Sequence, residues 1–297
     1  MGTFSFKLSK EKILRIKETF KEYIKPNPNE YIDTFIQKDD LSISIYKSDK
    51  VVFQGNDAFF YAQSYIDIQK TRQAGSDEVG TGDCFGPVVV CASIVEEDDY
   101  PFIEENHITD SKQLTDEYIR KIGPILINKF KHSLLILDNV TYNKVHETDN
   151  LNAIKAKMHN KAYLNMISKG YDVPKCGYVD QFCAVADYYA YLNEEKQIYK
   201  DLIFETKAES KYPSVAISSI ISRYAFIEYM DKLESKYSIK FPKGSSDLEN
   251  IDKTIKLFLS KYPKNELNNV CKLHFKNFDN YRWVIIVKGE NDYEIKR

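Results

Sequence analysis

Apolar residues recur at Ile13, Ile16, Phe20 and Ile24 in "LSKEKILRIKETFKEYIKPNP". That spacing predicts an amphipathic helix with Ser9 as its N-cap and Pro26 as its stop. The period then changes. In "LSISIYKSDKVVFQG", alternating and β-branched residues flank Ser48-Asp49, which predicts a β-hairpin. Residues 1–65 therefore read as a small α+β unit, and the polar "AQSYIDIQKTRQ" reads as a connection. From residue 71 the pattern predicts strands at 72–78, 87–95, 133–140, 176–180 and 202–206. Helices are predicted at 113–130, 150–169, 185–194, 213–236 and 249–262. Strands come first and helices alternate later. The expected fold of 66–297 is thus α/β, a mixed sheet flanked by helices.

Composition adds boundaries to this picture. With 297 residues, 43% hydrophobic and 29% charged, the chain is an ordinary globular one with room for one large domain or two smaller ones. No apolar run reaches the roughly 18 residues of a membrane span. The N-terminus lacks the apolar core of a signal peptide. Five cysteines, Cys84, Cys91, Cys176, Cys183 and Cys271, show neither C-x-x-C nor zinc spacing. Reduced thiols and a cytoplasmic location, away from membranes, are the expectation. The formal charge of −2 gives no global nucleic-acid signature. Locally, seven Lys/Arg face three Glu between Lys7 and Lys25, so a basic surface is still available there.

The stretch "GSDEVGTGDCFGPVVV" carries the candidate chemistry. Three readings compete. Gly80, Gly82 and Gly86 lie near dinucleotide-loop spacing, but that motif needs a helix immediately afterwards to bind the pyrophosphate. A β-branched strand follows instead, which argues against an organic cofactor. A glycine turn between two strands is the second reading. It leaves Asp77-Glu78 unexplained, because acids set against apolar strands need a cation or protons. The third reading is a divalent-metal site. Further acids for it stand at Asp180, closing the short run "CGYVD", and at Glu209, between a strand and a long helix. Taken singly, each acid is more simply a solvated residue; the argument rests on the set.

Together, "GSDEVGTGDCFGPVVV", "ITDSKQL", "YVDQF" and "AESKYPSVAISSIISR" resemble bacterial ribonuclease HIII, a type 2 ribonuclease H, over residues 75–223. The N-terminal unit resembles that family's substrate-binding domain, which has a TATA-binding-protein-like shape. The resemblance implies a ribonuclease H-like catalytic domain at 66–297. It implies cleavage of the RNA strand of RNA/DNA hybrids by two Mg²⁺ (or Mn²⁺) ions, leaving a 5′ phosphate and a 3′ hydroxyl. Asp77, Glu78, Asp180 and Glu209 correspond to the family's catalytic acids and metal ligands. Gly80, Thr81 and Gly82 correspond to the loop that senses the ribose 2′-hydroxyl. Ser111 and Lys112, after Asp110, correspond to a phosphate contact, although a helix start explains them equally.

Ser219 and Arg223, four apart on one helix, are further phosphate-contact candidates. Lys155, Lys157, His159 and Asn160 are candidates for the border of the site, although a solvated helix face explains them more simply, and His146 and His274 read as structural or surface residues. The N-terminal basic residues would hold phosphates without reading sequence. A monomer is expected. Ribonuclease HII, acting at single ribonucleotides in DNA, is the nearest alternative. Glu209 after Ala208, Thr81 between the glycines, and the N-terminal unit favour HIII. A silent nucleic-acid-binding module is a further alternative; the presence of all four acids disfavours it.

Overall fold

The computed structural model describes residues 2–55, 58–63, 65, 70–106, 108 and 114–278. The chain divides into two compact units, Met1–Gln69 and Lys70–Arg297. Among the described residues no helix is long and apolar enough to cross a membrane.

The first unit is a five-stranded antiparallel sheet with two helices. Its elements are β1 (Gly2–Lys7), α1 (Lys10–Thr19), β2 (Ile24–Lys25), β3 (Ile32–Lys38), β4 (Leu41–Tyr46), β5 (Lys50–Gly55) and α2 (Ala58–Gln63), and the strand order is β1-β5-β4-β3-β2. The expected hairpin is β4–β5, with Ile45 opposite Val51 and Asp49 at φ 64° in the turn. Leu41, Ile43 and Ile45 point inward alternately and pack with Ile13, Ile16 and Phe20 of the α1 region. The Ser9 hydroxyl caps α1 by accepting from the Lys12 amide.

The helix stops at Thr19 rather than near Pro26. Ile24 sits in β2 opposite Ile36 and is exposed, so strand pairing overrides its helical spacing. The hydrophobic pattern predicts none of strands β1, β2 and β3, nor helix α2.

The second unit holds β6 (Gln73–Val79), β7 (Val88–Val95), β8 (His132–Leu137), β9 (Gly177–Asp180) and β10 (Leu202–Glu205) in the order β10-β9-β6-β7-β8. β6–β7 and β7–β8 pair antiparallel, while β9 pairs parallel to β6 and β10 parallel to β9. Its helices are α3 (Tyr100–Glu105), α4 (Asp116–Lys129), α5 (Asn139–Val145), α6 (Leu151–Ser168), α7 (Val185–Ala190), α8 (Pro213–Tyr237) and α9 (Leu248–Lys261). All ten predicted elements from 72 onward are present, with shifted ends. The strand expected to run to 140 ends at Leu137, where Asp138 caps α5.

β7 is buried along its whole length because it is covered on both faces. Val90, Ala92 and Ile94 pack with Ala162, Tyr163 and Met166 of α6. Val89 packs with Phe226 and Met230 of α8, and the Ser93 hydroxyl donates to the Ser214 carbonyl. Alternate residues thus serve opposite layers.

Helix α8 approaches the sheet closely. A Cβ on Gly75 would lie 2.5 Å from the Ser214 hydroxyl oxygen and the Val215 nitrogen. Small serines line the contact and their hydroxyls are satisfied: Ser214 donates to Gln73 at 2.9 Å and Ser218 to the Gly75 carbonyl at 2.8 Å. This close contact brings the next serine on the helix, Ser219, to the acidic end of β6.

Candidate active site

Parallel pairing aligns the first acids. β6 and β9 pair through Ala74–Gly177, Gly75–Tyr178 and Ser76–Val179. The next residues on the two strands are Asp77 and Asp180. Asp180 in turn pairs with Glu205 of β10. After β10 the chain reverses through Lys207, at φ 57°, into a single 3₁₀ turn, Ala208–Ser210, that carries Glu209. The Ala208 amide donates to Oδ1 of Asp180 at 3.1 Å, which ties this turn to the end of β9.

Strand alternation sends the two neighbouring acids to different layers. Asp77 is 5% exposed and accepts a hydrogen bond from the Ser219 side chain of α8. Burial, reinforced by the charges of Glu78 and Asp180, pushes its carboxyl well above the usual range; the Ser219 bond opposes this. Glu78 faces α6. Its Oε1 lies 3.0 Å from Lys155 Nζ and its Oε2 lies 3.0 Å from His159 Nε2. Burial pushes Glu78 up, but His159 and Lys155 outweigh it and hold the carboxyl below its ordinary value.

His159 is fully buried, with Nδ1 2.8 Å from the Ser76 hydroxyl and its ring stacked on Phe182. Lys155 Nζ lies over the same Phe182 ring at 3.9 Å. The solvated face expected for α6 is therefore corrected at Lys155, His159 and Asn160, which are all buried. Asn160 closes the α6 side by donating to the Gln197 carbonyl and accepting from the Tyr199 amide. Lys157 is different: half-exposed and paired with Asp149 at 2.7 Å.

Glu209 is 5% exposed. The carboxylates form an all-oxygen donor set, which suits hard divalent cations. The like-charge cluster around Asp77 is one that a cation would neutralise. In chemistry the residues fit such an ion. In position they do not yet enclose one: among the described residues no three His, Cys, Asp or Glu side chains converge as a metal group, and Glu78 is held by its basic partners.

The glycine loop follows β6. Gly80 adopts φ 87°, and a Cβ there would lie 2.1 Å from the Pro87 carbonyl oxygen. Thr81 is half-buried. Gly82 is exposed, with nothing within 4 Å of a Cβ position, so it is an open tip. Arg223 donates to Asp116 Oδ1 at 2.9 Å, and Lys243 shares that carboxylate. Ser219 and Arg223 thus engage Asp77 and Asp116, respectively. Ser111 and Lys112, with Asp110, lie outside the described residues. His146 and His274 stack at 4.2 Å and are half-buried.

Comparison with known proteins bears on the family and the fold. Residues 74–278 match the family described as ribonuclease HII, and residues 3–78 match a domain of unknown function (DUF3378). The chain is 37% identical to ribonuclease HIII of Streptococcus mutans, covering 93% of this chain and 96% of that protein. It is 36% identical to ribonuclease HIII of Lactococcus lactis, over 91% of this chain and 95% of the relative. The crystal structure of Bst-RNase HIII in complex with Mn²⁺ superposes with a TM-score of 0.70 at 28% identity, covering 93% of this chain and 96% of that one. On sequence, coverage and fold together, the chain belongs to the ribonuclease HII family and, within it, to ribonuclease HIII.

Proposed function

We propose that the chain is a metal-dependent endonuclease that hydrolyses the RNA strand of RNA/DNA hybrids at Asp77, Glu78, Asp180 and Glu209. The observation that carries this reading is the end of the β6–β9 pair. There the buried Asp77 shares a strand tip with Glu78 and Asp180, and its pKa is raised first by burial and then by their charge. Such a cluster is costly to maintain without a cation. Membership of the ribonuclease HIII group supports the activity, and the Mn²⁺ complex of a relative supports a divalent ion.

Mg²⁺ or Mn²⁺ bound by the four acids would supply a water of lowered pKa and neutralise charge on the phosphate. The chain's own residues do the holding. Ser219 orients Asp77, Lys155 and His159 fix Glu78, and the Ala208 amide fixes Asp180. The open tip at Thr81-Gly82 lets backbone groups reach a ribose 2′-hydroxyl, the group that separates RNA from DNA. Ser111 and Lys112 are proposed phosphate contacts, as is Arg223 once it exchanges Asp116 for substrate. Ser219 serves first through Asp77. The unit at 1–65 adds sequence-independent phosphate contacts from its basic residues.

The test is Asp77→Asn. Hybrid cleavage should disappear while hybrid affinity stays within a few-fold of the parent. A variant that still cuts would refute the assignment.

A further inference from the structure

The glycine loop depends on a lysine far away in sequence. Lys272 is fully buried. Its Nζ donates to the Asp83 carbonyl at 2.8 Å and the Gly86 carbonyl at 2.6 Å, and its backbone amide donates to the Cys84 carbonyl at 2.8 Å. Neighbouring segments grip the same stretch. The Gly86 amide donates to the Val270 carbonyl, Phe85 bridges Cys271, and Asn139 donates to the Gly86 carbonyl. Gly244 accepts from the Cys84 amide and donates to Asp83 Oδ1.

We propose that Lys272 is a positioning residue for the substrate-sensing loop, clamping Asp83 to Gly86 so that Thr81 and Gly82 are presented in a fixed place. The proposal rests on the reading of that loop as the ribose contact. The physical argument is about where freedom is left. Asp83, Cys84 and Gly86 are each bonded through both backbone N–H and C=O, and Gly80 is wedged against the Pro87 carbonyl and Phe226. Between these anchors Gly82 alone among the loop's glycines has open space around it. A loop fixed at both ends and open at its tip is preorganised, so the substrate need not order it.

A buried lysine is an expensive anchor. Burial pulls its ammonium down to about 8, while the Asp83 and cysteine charges around it act the other way. An apolar residue would fill the same space without that cost. What it would not supply is two donors aimed at carbonyls that no other lysine or arginine among the described residues is shown to meet. Without them the Asp83 carbonyl loses the lysine donor and the Gly86 carbonyl keeps only Asn139, which would let the loop shift toward water.

The experiment compares Lys272→Met, which keeps most of the volume and removes both donors, with Lys272→Gln, which keeps an amide donor. Gly82→Val is the control for the loop itself. Rates are measured on an RNA/DNA hybrid and normalised to the folded fraction from thermal melting. Binding to hybrid is measured in competition with duplex DNA.

Lys272→Met should raise KM for the hybrid by about tenfold, leave kcat within about threefold, and flatten the preference for hybrid over DNA. Lys272→Gln should recover part of the KM. A purely structural role would lower the folded fraction and leave KM per folded molecule unchanged. A parental KM in Lys272→Met alongside a raised KM in Gly82→Val overturns the clamp. An unchanged KM in Gly82→Val overturns the reading of the loop, and the clamp with it. If Lys272→Met does not fold, the KM of Lys272→Gln set against that of Gly82→Val decides by the same criteria.

Discussion

Gly80 and Gly82 sit two residues apart in one loop, and the same substitution should affect them in opposite ways. At Gly80, alanine must adopt φ 87° and place its Cβ 2.1 Å from the Pro87 carbonyl oxygen, with the Phe226 ring 3.0 Å away. The backbone conformation costs about 1–2 kcal/mol for an L-residue. Pushing strand β7 or Phe226 aside adds about 1–3 kcal/mol of overpacking. The reduced freedom of the unfolded chain returns about 0.4–1 kcal/mol. The net loss for Gly80→Ala is about 1–4.5 kcal/mol. At Gly82 neither penalty exists, since no atom lies within 4 Å and no positive φ is required. Only the unfolded-state term remains, so Gly82→Ala should be neutral or more stable by up to about 1 kcal/mol.

Thermal unfolding followed by circular dichroism reads both. For a unit of this size Gly80→Ala should lower Tm by roughly 2–18 °C and Gly82→Ala should leave it level or slightly higher. Equal Tm values for Gly80→Ala and the parent would refute the close approach at Pro87. An equal fall in Gly82→Ala would refute the open tip.

The other predictions concern the acidic cluster and its substrate. Asp77 has a folded pKa raised above its ordinary 3.8, so its stabilising contribution is present below 3.8 and is lost as pH rises through the folded value. In chelator at pH 7, Asp77→Asn should therefore melt higher than the parent, with the difference shrinking toward pH 3.8; a lower Tm at pH 7 would contradict the charge argument. Chelation should abolish cleavage, and added Mg²⁺ or Mn²⁺ should restore it and raise the parent's Tm more than that of Asp77→Asn; activity persisting in chelator would exclude the metal reading. A hybrid with many ribonucleotides should be cut faster than a DNA duplex carrying one, and the reverse order on a gel assay would favour ribonuclease HII-like specificity.

The β7 run "VVVCASIV" is legible because burial on both faces makes it nearly continuous in apolar residues, with Ser93 the one hydroxyl among them. β4 and β5 were legible for the opposite reason, a clean alternation with one face inward. The alternation of β3 is masked in the sequence: Ile32, Thr34 and Ile36 are all buried, but the polar Thr34 breaks the apolar row. The end of α1 was misplaced because Ile24 keeps helical spacing while its backbone is better satisfied by β3.

The candidate site divides along the same line. Asp77 and Glu78 drew notice as acids attached to apolar strands, a conflict visible from neighbours in sequence. Their partners were not visible. Lys155, His159 and Asn160 occupy one side of α6, and a polar helix face reads as solvated unless something polar is known to lie opposite. Here the opposite groups are Glu78 and Ser76, some eighty residues earlier, together with the chain around Gln197. Lys272 is the extreme case, because nothing in "CKLHF" distinguishes it from a surface lysine. It becomes informative only when the Asp83 and Gly86 carbonyls are found at its end. Burial of a charged group is a property of the pair rather than of the residue. A sequence read one residue type at a time will therefore find the acids of such a site before it finds what holds them.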